Sequence, residues 1–209
     1  IGPGDGVLSK YLLEKYEAVL FLDVDIESIQ HLKEVYPMHR DKFMLQDFLR
    51  YQTKDNTAVI GNFPYKISSQ IVFKVIDDRE KIPLMVGMFQ KEVAQRIASP
   101  PGSKDYGILS VLTQAYFDVE YLFTVDEHVF DPPPKVKSGV IRLKRNAVSK
   151  LECDEKLFKR VVKQAFNQRR KTLRNSLRSM MNEEQLQDEV FSLRPERLSV
   201  DDFVKLTLL

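Results

Sequence analysis

The spacing of apolar residues changes period repeatedly before residue 146, and each change marks an element. AVLFL (Ala18–Leu22) is a short unbroken apolar run, which predicts a buried strand, and Glu27–Val35 follows as a helix. Phe43–Leu45 and Ala58–Ile60 are two further short strands. Ile67, Ile71, Val72 and Val75 fall at helical spacing, so Ile67–Ile76 is predicted as an amphipathic helix. Leu84–Phe89 (LMVGMF) reads as a strand, Glu92–Ala98 and Ile108–Phe117 as helices. Val119–Val125 and Val136–Leu143 read as two later strands, separated by the proline run Pro132–Pro134. Strands alternating with helices predict a mainly parallel sheet with helices on both faces. After Arg145 the pattern becomes wholly helical. A domain boundary is therefore expected near Asn146–Lys150, with an α/β domain over 1–146 and a small all-α domain over 147–209.

Composition narrows the class. The 209 residues are 43% hydrophobic and 30% charged, which suits a folded globular chain and excludes a disordered one. No apolar run approaches the roughly eighteen residues of a membrane span, and the start lacks the basic-then-apolar order of a signal peptide. A cytoplasmic protein with no membrane partner is expected. Cys153 is the single cysteine and forms no internal disulfide, while His31, His39 and His128 are scattered, so no metal site is expected. Net charge is +2, but Lys156–Asn182 holds nine basic residues and no acidic one, leaving 2 − 9 = −7 for the rest. Such polarity fits a polyanionic partner.

The opening stretch, IGPGDGVLSKYLLEK, places Gly2, Gly4 and Gly6 alternately ahead of a helical pattern. Glycines permit close backbone approach to a ligand, and a helix start favours polar or negative groups. A plain strand-to-helix turn is the alternative. About twenty residues on, FLDVD ends a strand with Asp23 and Asp25, the spacing at which a carboxylate takes ribose hydroxyls in nucleotide-binding folds. Asp47, in MLQDF, ends the next strand and is placed to meet an adenine amine; a turn or helix cap is its other reading.

The stretch VIGNFPYKISSQIV then sets Asn62, Phe63, Pro64 and Tyr65 at the ligand-binding end of the following strand. An asparagine oxygen and a neighbouring backbone carbonyl can both accept hydrogen bonds from an exocyclic amine, keeping its lone pair toward an electrophile. Pro64 stiffens the turn and Tyr65 can stack on a base. Attack of such a lone pair on a bound electrophile needs positioning and electrostatics more than a strong base.

The basic segment divides similarly. Phe158, Val161, Val162, Ala165 and Phe166 form a buried stripe, with Lys156, Lys159, Arg160 and Lys163 on another face. Arg170, Arg174 and Arg178 recur every four residues, which predicts one side of a second helix. Without interspersed acids, these residues are expected to contact phosphates, most densely at Arg169, Arg170, Lys171 and Arg174.

Taken together, IGPGDG, LDVD, QDF, GNFPY, FQKEVAQRI, KDYGILSVL, FDPPPKVKSGVIRL, AFNQRRKTLRNSL and RPERLS resemble the KsgA family of ribosomal RNA adenine dimethyltransferases along the whole chain. The resemblance implies S-adenosylmethionine as methyl donor. It also implies a class I (Rossmann-like) seven-stranded sheet with a small helical C-terminal domain, and dimethylation of two adjacent adenosines near the 3′ end of small-subunit ribosomal RNA. Carried over, Gly2, Gly4 and Gly6 line the donor, Asp23 takes its ribose and Asp47 its adenine. Asn62, Pro64 and Tyr65 hold the target base, Phe63 supplies a carbonyl, and Phe130 flanks the base from the other side. Family members carry a segment ahead of IGPG with a QNFL-type motif, a first strand and an acidic residue. Ile1 falls inside that motif, so the first strand is expected to be absent, leaving a gap or an unpaired edge. An immature small ribosomal subunit is the expected partner and a monomer the expected state. The alternatives are a large-subunit resistance methyltransferase, a DNA adenine methyltransferase, a ribosome-assembly factor with methylation secondary, or an inactive truncated chain.

Overall fold

The computed structural model describes residues 1–209, which divide into two compact units, Ile1–Phe89 and Gln90–Leu209. In the first unit, α1 (Ser9–Lys15) leads to β1 (Phe21–Asp23), α2 (Ile26–Val35) and β2 (Phe43–Leu45). Strand β3 (Ala58–Asn62), α3 (Ser68–Asp77) and β4 (Leu84–Gln90) follow. Both strand pairs are parallel: Asp23 lies opposite Leu45 in β1–β2, and Gly61 opposite Gly87 in β3–β4. Each pair is joined by a helical crossover, as parallel pairing requires.

Two apolar clusters fix these elements. Phe21 and Phe43 stack with ring centroids 4.8 Å apart, packing with Ile29 and Leu32 of α2. Val59, Phe63, Ile71, Val72, Val75, Met85 and Phe89 are buried around β3, α3 and β4. Ile71, Val72 and Val75 are the positions that the helical spacing assigned to the core. No ladder joins β1 directly to β3. Instead the Gly2 amide donates to the Leu22 carbonyl at 2.9 Å and the Ile1 nitrogen to the Ile60 carbonyl at 2.8 Å. Through these two bonds the first two residues link β1 and β3.

The second unit opens with α4 (Lys91–Ala98) and α5 (Ile108–Gln114), followed by β5 (Phe117–Val125) and β6 (Ser138–Arg145). These two strands are antiparallel, Phe117 opposite Arg145 and Val125 opposite Ser138. The chain thus carries six strands, in parallel and antiparallel pairs. The predicted helix over Ile108–Phe117 ends three residues early. Tyr116 turns back on Thr113, its carbonyl accepts the Asn146 amide at 3.0 Å, and Phe117 starts the strand.

Beyond Arg145 the chain is helical, with α6 (Glu155–Asn167), α7 (Leu173–Ser176), three short 3-10 turns and α8 (Val200–Leu208). Asp154 caps α6, accepting from the Leu157 amide at 2.7 Å. The stripe Phe158, Val161, Val162, Ala165 and Phe166 is buried as its spacing predicts, with Phe166 against Tyr106 and Phe203. A second arginine-lined helix does not form. Gln168 and Thr172 leave helical dihedrals, and only the single turn Leu173–Ser176 follows. Arginines at four-residue spacing fit a helix, but the apolar anchors here are only Leu173 and Leu177, one turn apart and fully buried. The Leu173 amide bonds the Leu193 carbonyl at 2.8 Å, tying that turn to a later segment.

Candidate active site and basic cleft

The glycine loop is built from left-handed backbone, with φ of 61° at Gly2, 50° at Gly4 and 83° at Gly6. Only glycine adopts such values without strain. A Cβ on Gly2 would lie 3.4 Å from the Asn62 carbonyl oxygen, so the loop runs directly against the turn after β3. A Cβ on Gly6 would meet Leu32 at 2.7 Å, whereas Gly4 has nothing within 4 Å and faces open space. Gly6 packs α2 against the loop; Gly4 leaves its backbone bare for a ligand.

Asp23 and Asp25 have different partners. One oxygen of Asp23 accepts from the Val24 and Asp25 amides at 2.7 and 3.0 Å, and the other takes no bond from the protein. Asp25 caps α2, accepting from the Ser28 hydroxyl at 2.7 Å and the Glu27 and Ser28 amides. The Ser28 hydroxyl, then the Glu27 amide, hold the Asp25 carboxyl below its ordinary pKa. Asp23 is therefore the strand-end carboxylate with acceptor capacity to spare. On the adjoining strand the Gln46 amide donates to the Asp23 carbonyl at 2.7 Å, which brings Asp47 alongside. Asp47 caps the 3-10 turn Phe48–Arg50 through the Leu49 amide at 2.9 Å, with its second oxygen 3.8 Å from Arg50.

In the turn after β3, Asn62 is exposed and Phe63 is 1% exposed. The Phe63 ring meets Phe89 edge-on at 5.2 Å, and its amide donates to the Met88 carbonyl at 3.3 Å. Of the two rings in NFPY, one is a core anchor and the other, Tyr65, is half-buried at the start of a 3-10 turn. Gly2, Gly4, Gly6, Asp23, Asp47 and Asn62–Tyr65 all belong to the first unit, and the hydrogen bonds and close approaches above link the glycine loop, β1 and the turn. An open glycine cradle beside a strand-end carboxylate with a spare oxygen fits the nucleoside part of S-adenosylmethionine.

Phe130 lies in the second unit, half-buried after a 3-10 turn, its amide donating to the Glu127 carbonyl at 3.3 Å. The loop that carries it is closed at its base by an ion pair between Asp126 and Lys137, whose carbonyl accepts the Lys91 amide at 2.9 Å.

The second unit also holds a cleft of about 540 Å³ lined by Lys104, Arg169, Arg170, Arg194 and Arg197 against two acids, Asp105 and Glu196. Its wall is preorganised. The Gly102 amide donates to the Glu196 carbonyl at 2.6 Å, and the Arg169 guanidinium to the Lys104 carbonyl. Gln114 holds the preceding chain through the Ile97 and Ser99 carbonyls. Arg174 likewise donates to the Leu186 carbonyl at 3.1 Å. Arg170, Lys171 and Arg174 are exposed. Lys104, Arg194 and Arg197 were not singled out from sequence, although GSKD and RPERL carry them; only the fold brings those segments to Arg170.

The family model for ribosomal RNA adenine dimethylases matches residues 1–204. The chain belongs to the ribosomal RNA adenine dimethylase family. It is 55% identical to the ribosomal RNA small subunit methyltransferase A of Porphyromonas gingivalis, over 100% of this chain and 84% of that protein. The protein of the same name from Flavobacterium johnsoniae is also 55% identical, over 99% and 82%. Among solved structures, a dimethyladenosine transferase from Plasmodium falciparum shares the fold with a TM-score of 0.85 at 24% identity, over 99% of this chain and 86% of that one. The 23S rRNA methyltransferase ErmE matches with a TM-score of 0.72 at 26% identity, over 100% and 89%. The class I methyltransferase fold inferred from the motifs is thus established, and with it a family that uses S-adenosylmethionine.

Proposed function

We propose that this family member dimethylates the N6 amines of two adjacent adenosines near the 3′ end of small-subunit ribosomal RNA, acting as a monomer on an immature subunit in the cytoplasm. In this reading residues 1–146 carry the transfer chemistry and 147–209 grip the RNA. The supporting observation is the turn after β3: Asn62 stands exposed beside the glycine loop while its neighbour Phe63 is locked in the core.

Bound at the glycine loop, S-adenosylmethionine supplies an electrophilic methyl group. Gly2, Gly4 and Gly6 line it, the free oxygen of Asp23 accepts from its ribose hydroxyls, and Asp47 from its adenine amine. The Asn62 side-chain oxygen and the Phe63 carbonyl accept the two N–H bonds of the target amine in the first transfer, and one of them accepts the remaining N–H in the second. This keeps the nitrogen lone pair toward the methyl group, and the proton displaced in each transfer passes to water. Pro64 restricts the turn and Tyr65 stacks on the base. Positioning of this kind accounts for rate without a general base. Arg170 and Lys171 contact phosphates together with the basic cleft, while Arg169 and Arg174 also brace the surrounding chain.

The test is methyl transfer from labelled S-adenosylmethionine to small subunits that lack the modification, with digested nucleosides identified by mass. N6,N6-dimethyladenosine is expected from small subunits and none from large ones. Asn62→Ala should remove at least 99% of transfer, roughly the loss that misplacing a reacting group brings, and leave subunit binding intact. Product on large subunits alone would overturn the substrate assignment. Normal transfer by Asn62→Ala would overturn the role of the amide.

A further inference from the structure

The ring of Phe63 lies where two side chains would ordinarily stand. Gly61 and Gly87 are opposite one another on β3 and β4, and both are buried. A Cβ on Gly87 would come 2.2 Å from Phe63 Cε2 and 2.8 Å from Phe89 Cε2. A Cβ on Gly61 would come 2.7 Å from Phe63 Cε1 and 2.5 Å from the Ile1 carbonyl oxygen. Such separations are far inside van der Waals contact, so even a methyl group there displaces the ring. Side chains alternate along a strand, so the ring that folds back over this glycine pair fixes the direction in which Asn62 leaves.

We propose that Gly87, more than twenty residues beyond the turn in sequence, is a positioning residue for the turn Asn62–Tyr65. Its missing side chain creates the slot that seats Phe63, and the seated ring sets the placement of the Asn62 amide. The proposal rests on the reading of this turn as the amine holder.

Gly87→Ala tests it in the purified protein. The expected result is a kcat lowered roughly 10- to 100-fold, the scale on which small misplacements act, with KM for subunits and the affinity for S-adenosylmethionine changed less than threefold. Gly87→Ala combined with Phe63→Leu, which removes the clashing ring atoms, should recover most of the rate of Phe63→Leu alone. Ile82→Ala, buried two residues ahead of β4, serves as the control for stability and should lower the melting temperature while keeping kcat. The Asn62 side-chain amide resonance, read by NMR independently of turnover, should move in Gly87→Ala and return in the double variant. A wild-type kcat in Gly87→Ala, or an Asn62 resonance that stays in place, overturns the proposal. Were the wild type to form no dimethyladenosine while that resonance moved and returned, the positioning would stand and the assigned chemistry would fall.

Discussion

Asp23 and Asp25 carry the same group two residues apart, and the fold gives them different work. Asp25 is committed to the start of α2 by three donors, whereas Asp23 keeps one oxygen free at the strand end. Asp23→Asn should therefore weaken S-adenosylmethionine binding at least tenfold by titration calorimetry with little change in melting temperature. Asp25→Ala should do the reverse, lowering the melting temperature and sparing affinity. Equal losses of affinity in both would mean that the loop responds to charge alone. The sequence FLDVD allowed either carboxylate to face the ligand; the choice depends on which one caps the helix, and Ser28 at the N3 position of α2 was the visible sign of it. Phe63 was less legible. Its neighbours Gly61 and Gly87 are 26 positions apart in sequence, and only strand register shows that they form one slot.

At the scale of elements, periodicity served best where burial is one-sided. The α6 stripe and the α3 stripe stand where their patterns place them, because a helix with one wet face must repeat at its own period. It served worst where charge alone supplied the period, as in the arginines around α7. Caps carry predictions of their own. Ser199 and Asp202 form a reciprocal capping box on α8, the serine hydroxyl accepting the Asp202 amide at 3.1 Å and the Asp202 carboxylate the Ser199 amide at 2.9 Å. The Ser199 hydroxyl, bonded to that carboxylate at 2.7 Å, is the main cause holding the Asp202 pKa below its ordinary 3.8. The native value being the lower one, this stabilisation is complete above about pH 4. It is lost as pH falls through the native pKa. Asp202→Asn should thus destabilise the protein at pH 7, by about 1 kcal/mol for a lost cap, and far less at pH 2; a difference independent of pH in denaturant titrations would contradict the assignment.

For the molecule as a whole, a net charge of +2 is the sum of a segment at +9 and a remainder at −7. Binding to RNA should then weaken steeply with salt, while binding of the methyl donor should hardly respond. Arg170→Ala together with Lys171→Ala should lower the slope of log affinity for small subunits against log salt by about 2, near 0.9 per phosphate contact removed. An unchanged slope would place the phosphate contacts elsewhere. The α/β class was readable from alternating strands and helices, and the helical end from the change at Arg145. The bridging of β1 and β3 was not, since Ile1 and Gly2 have no periodicity to read. Their two hydrogen bonds, to Leu22 and Ile60, make the glycine loop the clasp between separate ladders. Ordering of the loop therefore also links the two ladders. A ligand that orders the loop should then also hold the two ladders together, so added S-adenosylmethionine is expected to raise the melting temperature.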